Sequence, residues 1–222
     1  EEHREEAQDR RPGRHQLGPD APEGPYTLEQ LADDAHALLQ ALDIPKTHFM
    51  GISMGGMIGQ TLALKNPGLL RSLILCDTSS RIPGEAPPVW EERIGLAQEH
   101  GMDALVESTM ERWFTAPFRG KPVPMLETVR AMIRSTPLKG YVGCSRAIMK
   151  LNLTERLGEI ALPTLIIVGE EDPGTPVAAS QAIHQNIKGS ELVILKSAAH
   201  LSNIEQQDAF NSAVLEFLRR QA

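Results

Sequence analysis

Cysteine is scarce in this chain: two among 222 residues, Cys76 and Cys144, far apart and without CxxC spacing. A disulfide framework and the usual zinc spacings are therefore excluded, and a reducing, cytoplasmic setting is expected. A basic surplus is also missing. The formal charge is −7, which argues against nucleic acid or an anionic membrane surface as partner. No apolar run reaches the ~18 residues a membrane span needs. The first residues carry charges but no apolar stretch of the secretory kind. No internal repeat and no low-complexity tract is visible.

What remains is the pattern of one α/β domain with an insertion. Glu1 to Gly24 is Glu, Arg, Gln, Pro and Gly, with Ala7, Leu17 and Ala21 its only apolar side chains. Such a segment buries too little to offset its ordering entropy, so 1–24 is expected to be a disordered polar tail. Thr27 with Gln30 forms a capping-box pattern. Leu28, Leu31, Ala35, Leu38, Leu39 and Leu42 follow at helical spacing, which predicts a helix over 27–42. Thr47–Ile52 reads as a strand, Met54–Asn66 as a helix stopped by Pro67 and Gly68, and Leu70–Cys76 as a strand covered on both faces.

From about Ser80 to Leu153 no strand pattern occurs. Helical pieces interrupted by Pro87, Pro88, Pro117, Pro122, Pro124 and Pro137 predict a helical cap. Its charge differs from that of the rest: Arg81 to Lys150 holds ten Lys or Arg against eight Asp or Glu. Alternation then resumes with a strand at Thr164–Val168, a helix at Val177–Asn186, a strand at Glu191–Leu195 and a helix at Gln206–Arg220. Strands alternating with helices on both sides of an insertion indicate a mostly parallel α/β sheet. The expected core is 25–79 with 154–222, and the expected cap 80–153.

The chemistry centres on Gly51-Ile52-Ser53-Met54-Gly55, a G-x-S-x-G between a strand and a helix, the context this motif requires. A tight turn there would expose the Ser53 hydroxyl, with Gly51 and Gly55 letting neighbouring backbone pass close by. It would aim the Met54 N–H, backed by the helix N-terminus, at a developing oxyanion. A serine hydroxyl needs a base. Of seven histidines, only His200 follows the last strand, where parallel folds place their sites. The acid should follow the preceding strand, where Glu170, Glu171 and Asp172 compete. Asp172, followed by Pro173, suits a carboxylate held in a loop. The order Ser53, Asp172, His200 is the one this architecture uses.

These motifs make a resemblance plain. GISMGGMIGQTLAL, GEEDPGTP and SAAHLSNIEQ, with APEGPYTLEQLADD and ERWFT, resemble the 3-oxoadipate enol-lactone hydrolases of the α/β-hydrolase superfamily, from about Ala21 to Leu218. The resemblance implies hydrolysis of an anionic unsaturated lactone in the β-ketoadipate route of aromatic catabolism. Ser53, Asp172 and His200 would be catalytic, and neither cofactor nor metal is implied. Trp113 would line the acyl pocket or pack in the core. The positive cap suits a substrate carboxylate. A carbon–carbon bond hydrolase or a cofactor-free haloperoxidase would use the same three residues.

One departure shapes the expectations. The family's first four strands precede the helix that begins here at Thr27. Only Asp9-Arg10-Arg11-Pro12-Gly13 is similar to the stretch before it. The chain is thus expected to carry the C-terminal four strands and to lack the loop that gives a second oxyanion N–H. Its strand Thr47–Ile52 should then have a free edge open to self-association. A catalytically impaired fragment is the remaining alternative.

Overall fold

The computed structural model describes residues 21–221. The expected tail up to residue 20, with Asp9 to Gly13, lies outside the described residues. The expected tail is wrong from residue 21 on: residues 21–27 run as irregular backbone packed on the domain, with Ala21 and Tyr26 buried and the Tyr26 hydroxyl donating to Pro22 O. The first helix, α1, spans Leu28–Ala41. Thr27 caps it, its hydroxyl accepting from Gln30 N at 3.0 Å. Strand β1 covers Thr47–Ile52, helix α2 Met54–Lys65 and strand β2 Leu70–Cys76. After the inserted segment come β3 at Thr164–Gly169, α8 at Val177–Asn186 and β4 at Glu191–Leu195. A short helix α9, Ser202–Glu205, leads into α10, Gln207–Arg219.

The four strands form one parallel sheet in the order β1-β2-β3-β4. Side chains alternate across a strand, and both faces of this sheet are covered. Leu73, Leu75 and Ile166 pack with α1, α2 and α8 through Leu31, Leu62 and Ile183. Ile74, Cys76, Leu165 and Ile167 face the other way, onto Phe210, Val214 and Phe217 of α10. This two-sided burial explains why β2 and β3 are nearly unbroken apolar runs. Strand β1 differs. It pairs with β2 alone among the described residues, and Met50 on it is 55% exposed.

The segment between β2 and β3 is helical: α3 Pro87–His100, α4 Val106–Trp113, α5 Ala116–Arg119, α6 Pro124–Ser135 and α7 Leu138–Ile148. Its prolines start helices rather than merely interrupting them. Pro87, Pro117 and Pro124 lie in first turns, where a missing N–H costs nothing. The cap has its own apolar cluster of Val106, Met110, Phe114, Leu126, Val129 and Ile133. Its two ends lie side by side, with Ile82 N donating to Leu151 O and Leu153 N to Ser80 O. No described helix is long and apolar enough to cross a membrane. Cys76 and Cys144 are both buried and free.

The turn between β1 and α2 depends on Gly51. A Cβ there would meet the carbonyl carbon of Gly55 at 2.2 Å and its oxygen at 2.3 Å. Gly55 departs from the sequence expectation, because a Cβ on it would meet nothing within 4 Å. Its backbone, not its own side-chain position, is what Gly51 must accommodate. Gly51→Ala should therefore cost about 3 kcal/mol, since backbone cannot give way as a flexible side chain can. That corresponds to a melting temperature lower by roughly 6–12 °C for a chain of this size. Gly55→Ala should leave the melting temperature unchanged or raised, alanine being the better helix former. Thermal unfolding of the two variants checks the contrast; equal losses would contradict it.

Candidate active site

The carboxyl edge of the sheet gathers chemistry from every strand. Ser53 follows β1, Asp77 follows β2, Asp172 follows β3 and His200 follows β4. Three of these turns bend through the left-handed region without glycine: Ser53 has φ 52°, Asp77 φ 43° and Ser197 φ 54°. Such backbone costs of order 1–3 kcal/mol each and persists only where surrounding contacts over-determine it. For Ser53 those contacts are its N–H donating to Cys76 O at 2.9 Å and its carbonyl accepting from Thr78 Oγ1 at 2.6 Å. The side chain is left partly exposed. Among the described residues, no hydrogen bond holds Ser53 Oγ, from His200 or any other group. The Met54 N–H lies in the first turn of α2, one residue beyond.

Asp172 and His200 are brought together directly. His200 Nδ1 and Asp172 Oδ2 lie 2.7 Å apart, and both residues are buried. Glu170 and Glu171 are exposed. The Asp172 carboxylate is fixed by an Asx-type turn. Its Oδ1 accepts from Gly174 N at 2.8 Å and Thr175 N at 3.0 Å, and its Oδ2 accepts from Thr175 Oγ1 at 2.6 Å. Burial pushes its pKa up, but the bond to His200, that ring's charge and the Thr175 bonds outweigh this and hold it below the ordinary carboxylate value. An ionised Asp172 only accepts, so Nδ1 of His200 carries the donated proton and Nε2 is left as the free acceptor.

The loop bearing His200 crosses over the end of β3. Glu170 N donates to Leu195 O and Glu171 N to Ala198 O, each at 2.9 Å. Gly169 makes the crossing possible, because a Cβ there would meet Ala199 O at 2.2 Å. The loop then reaches the end of β2, where Ser202 Oγ donates to Asp77 Oδ2 at 2.6 Å. Asp77 Oδ1 accepts from Gly169 N at 2.8 Å. Since Asp77 directly follows the Cys76 that binds Ser53, these contacts tie the histidine loop to the serine turn. Trp113, at the end of α4, stands over the same place. Its ring centroid is 6.3 Å from that of His200, and it is partly buried. It lines the site.

Sequence reasoning missed Asp77, Thr175 and Ser202. A signal existed for two of them. Asp77 is an acid at the carboxyl end of an apolar parallel strand, and Thr175 stands three residues after Asp172, within reach of an Asp side chain that caps backbone N–H groups. Two of the other histidines have local partners: His48 Nδ1 meets Ser72 Oγ, and His184 Nδ1 meets Ser190 Oγ, both at 2.8 Å. No group of three or more His, Cys, Asp or Glu among the described residues is arranged to hold a metal ion.

Burial pushes the Asp77 carboxyl up to about 7, against the opposing pull of the Ser202 and Gly169 bonds and the His200 charge, with Asp172 adding to the rise. A carboxyl whose folded pKa is raised adds stability that is complete below its unfolded value, near 3.8, and is lost as pH climbs through about 7. Asp77→Asn keeps one acceptor for Gly169 N and tolerates the left-handed backbone. The melting-temperature advantage of the wild type over Asp77→Asn should therefore shrink between pH 4 and pH 8 by several degrees, at most ~4 kcal/mol. A constant difference across that window would contradict the buried, titrating acid.

Comparison with known proteins bears on the family and the fold. The family described as alpha/beta hydrolase fold matches residues 8–207. The chain is 37% identical over 199 residues to 3-oxoadipate enol-lactonase 2 of Acinetobacter baylyi, covering 90% of this chain and 73% of that protein. Among solved structures it resembles the enol-lactonase from Burkholderia xenovorans LB400 at 37% identity and a TM-score of 0.86. That alignment covers 90% of this chain and 75% of the other. A hydrolase from Pseudomonas aeruginosa PA01 gives 38% identity and a TM-score of 0.84, over 89% and 74% of the two chains. With this sheet, this carboxyl edge and these relatives, the chain belongs to the α/β-hydrolase fold family, as a hydrolase of esters or lactones.

Proposed function

We propose that the chain is a serine hydrolase of small anionic lactones or esters, with 3-oxoadipate enol-lactone as its substrate. The observation that carries this reading is the buried Asp172–His200 pair at the sheet edge that also presents Ser53 on a strained strand-to-helix turn. His200 Nε2 takes the Ser53 proton as Oγ attacks the lactone carbonyl, and Asp172 stabilises the imidazolium without itself being protonated. The tetrahedral oxyanion receives the Met54 N–H. Collapse breaks the ring C–O bond. His200 returns the proton to the enol oxygen that leaves, and the opened acid stays esterified to Ser53. Water, deprotonated by His200, then attacks the acyl carbonyl and frees the product and the Ser53 hydroxyl.

The cap supports an anionic substrate. Several of its cations are neutralised by acids: Arg130 by Glu107 and Glu127, Arg134 by Asp103. Arg112 and Arg93 have no carboxylate within ion-pair distance among the described residues. Arg93 lies over the Trp90 ring at 5.5 Å, and Arg112 donates to Thr109 Oγ1 at 3.0 Å. Burial, then the Arg93 charge, holds the half-buried Arg112 guanidinium below its ordinary pKa. Two neighbouring cations that no described carboxylate reaches at ion-pair distance, although the Glu111 charge acts on Arg112, favour an incoming carboxylate. The names of the enol-lactonase relatives point to the same substrate class.

Hydrolysis of the enol-lactone and of a neutral activated ester should both be measurable and both be abolished in Ser53→Ala. Activity surviving in that variant would overturn the serine mechanism. Arg112→Gln should raise KM for the carboxylate-bearing lactone about tenfold, equivalent to ~1.4 kcal/mol. Its KM for the neutral ester should stay within twofold. An equal rise for both substrates would remove Arg112 from substrate recognition.

A further inference from the structure

Glu205, at the end of α9, joins two parts of the molecule through one carboxylate. Its Oε1 accepts from Thr115 N at 3.0 Å and Thr115 Oγ1 at 2.7 Å, both in the cap. Its Oε2 accepts from Ala199 N at 2.6 Å, one residue before His200. A second tie runs parallel to it, since Leu201 N donates to the cap carbonyl of Trp113 at 3.0 Å. The apolar contacts agree. Leu201 and Ile204 pack into the cap cluster of Val106, Met110 and Phe114, with Trp113 beside them. Ser202, by contrast, is held to the core by Asp77. The residues flanking His200 are thus pinned on one side to the cap and on the other to the sheet.

We propose that Glu205 is a positioning residue that straps the cap to the loop carrying His200, so that the seat of the cap and the orientation of the base are set together. The physical reason lies in what a carboxylate can do. It accepts at both oxygens and donates at neither, so it serves N–H and O–H donors on both sides at once. Glutamine cannot: either amide orientation sets an NH2 against the Ala199 N–H or against the Thr115 donors. Charge-assisted bonds of this length also rank among the stronger ones. A shift of the cap at Thr115 is therefore transmitted to Ala199 and to the adjoining histidine. Misplacing a base by about an ångström costs up to ~10²-fold in rate.

The test uses Thr115→Val, which removes one hydroxyl in the cap and touches no atom of the histidine loop, together with Glu205→Gln. Amide hydrogen exchange is followed by mass spectrometry in the peptide spanning residues 196–202. Turnover of a small neutral ester is measured at temperatures well below melting. In Thr115→Val the exchange of that peptide should quicken at least threefold and kcat should fall three- to tenfold, with KM within twofold. Glu205→Gln should lower kcat ten- to thirtyfold, and the double variant should be no slower than Glu205→Gln alone, because both changes break one linkage. The inference rests on the serine-hydrolase reading for its kcat arm only. If the wild type shows no Ser53-dependent turnover, that reading fails, and the exchange of residues 196–202 alone decides the strap. Unchanged exchange in Thr115→Val overturns the inference. So does a lower melting temperature with kcat within twofold of wild type, or losses that multiply independently in the double variant.

Discussion

The site depends on one close crossing. The loop that leaves β4 passes over the end of β3 with Ala199 O so near Gly169 that a single methyl there would fall 2.2 Å from it. Everything that positions His200 follows from this passage. It sets His200 above the Asp172 turn, sends Ser202 across to Asp77 and leaves Ala199 and Leu201 to meet the cap. Close-packed interiors do not deform continuously, so a side chain at Gly169 would displace the histidine as a unit with its loop.

Three carboxylates surround that loop, and their environments divide the labour among them. Asp172 faces His200 and two backbone N–H groups, which hold it ionised despite burial. Asp77 is as deeply buried but, among the described residues, has only Gly169 N and Ser202 Oγ as donors, and burial prevails. Glu205 is half-exposed and spans two segments rather than closing one turn. The same functional group thus serves as partner of His200, as a titrating lock between strands and as a strap to the cap. The differences come from the count of donors and from solvent, the factors that separate carboxyl roles generally.

Much of this was legible in the sequence where the signal is local. Apolar runs bounded by Pro and Gly placed β1, β2, α8 and β4 at their observed limits. The turn-and-proline context of Asp172 distinguished it from Glu170 and Glu171, which are exposed. The cap was legible as helical because periodicity persisted between prolines, although those prolines open helices as well as interrupt them. What escaped is tertiary. Asp77 and Ser202 are 125 residues apart, and Thr115 and Glu205 are 90 apart, so no window of sequence contains either pair. Gly55 was misjudged for a related reason: in G-x-S-x-G the pattern marks both glycines alike, while only the folded turn shows that Gly51 alone lacks room for a methyl.

The central claim is that the Asp172–His200 pair activates Ser53. It is tested most directly by labelling with a fluorophosphonate, which reacts with activated serines, followed by mass analysis of the modified peptide. The account expects one label per chain, on the peptide containing Ser53 and absent from Ser53→Ala. Labelling should be slowed by ~10²-fold or more in Asp172→Asn and should stay close to wild type in Glu171→Gln. Label on another residue, label persisting in Ser53→Ala, or equal rates in the two carboxyl variants would contradict it.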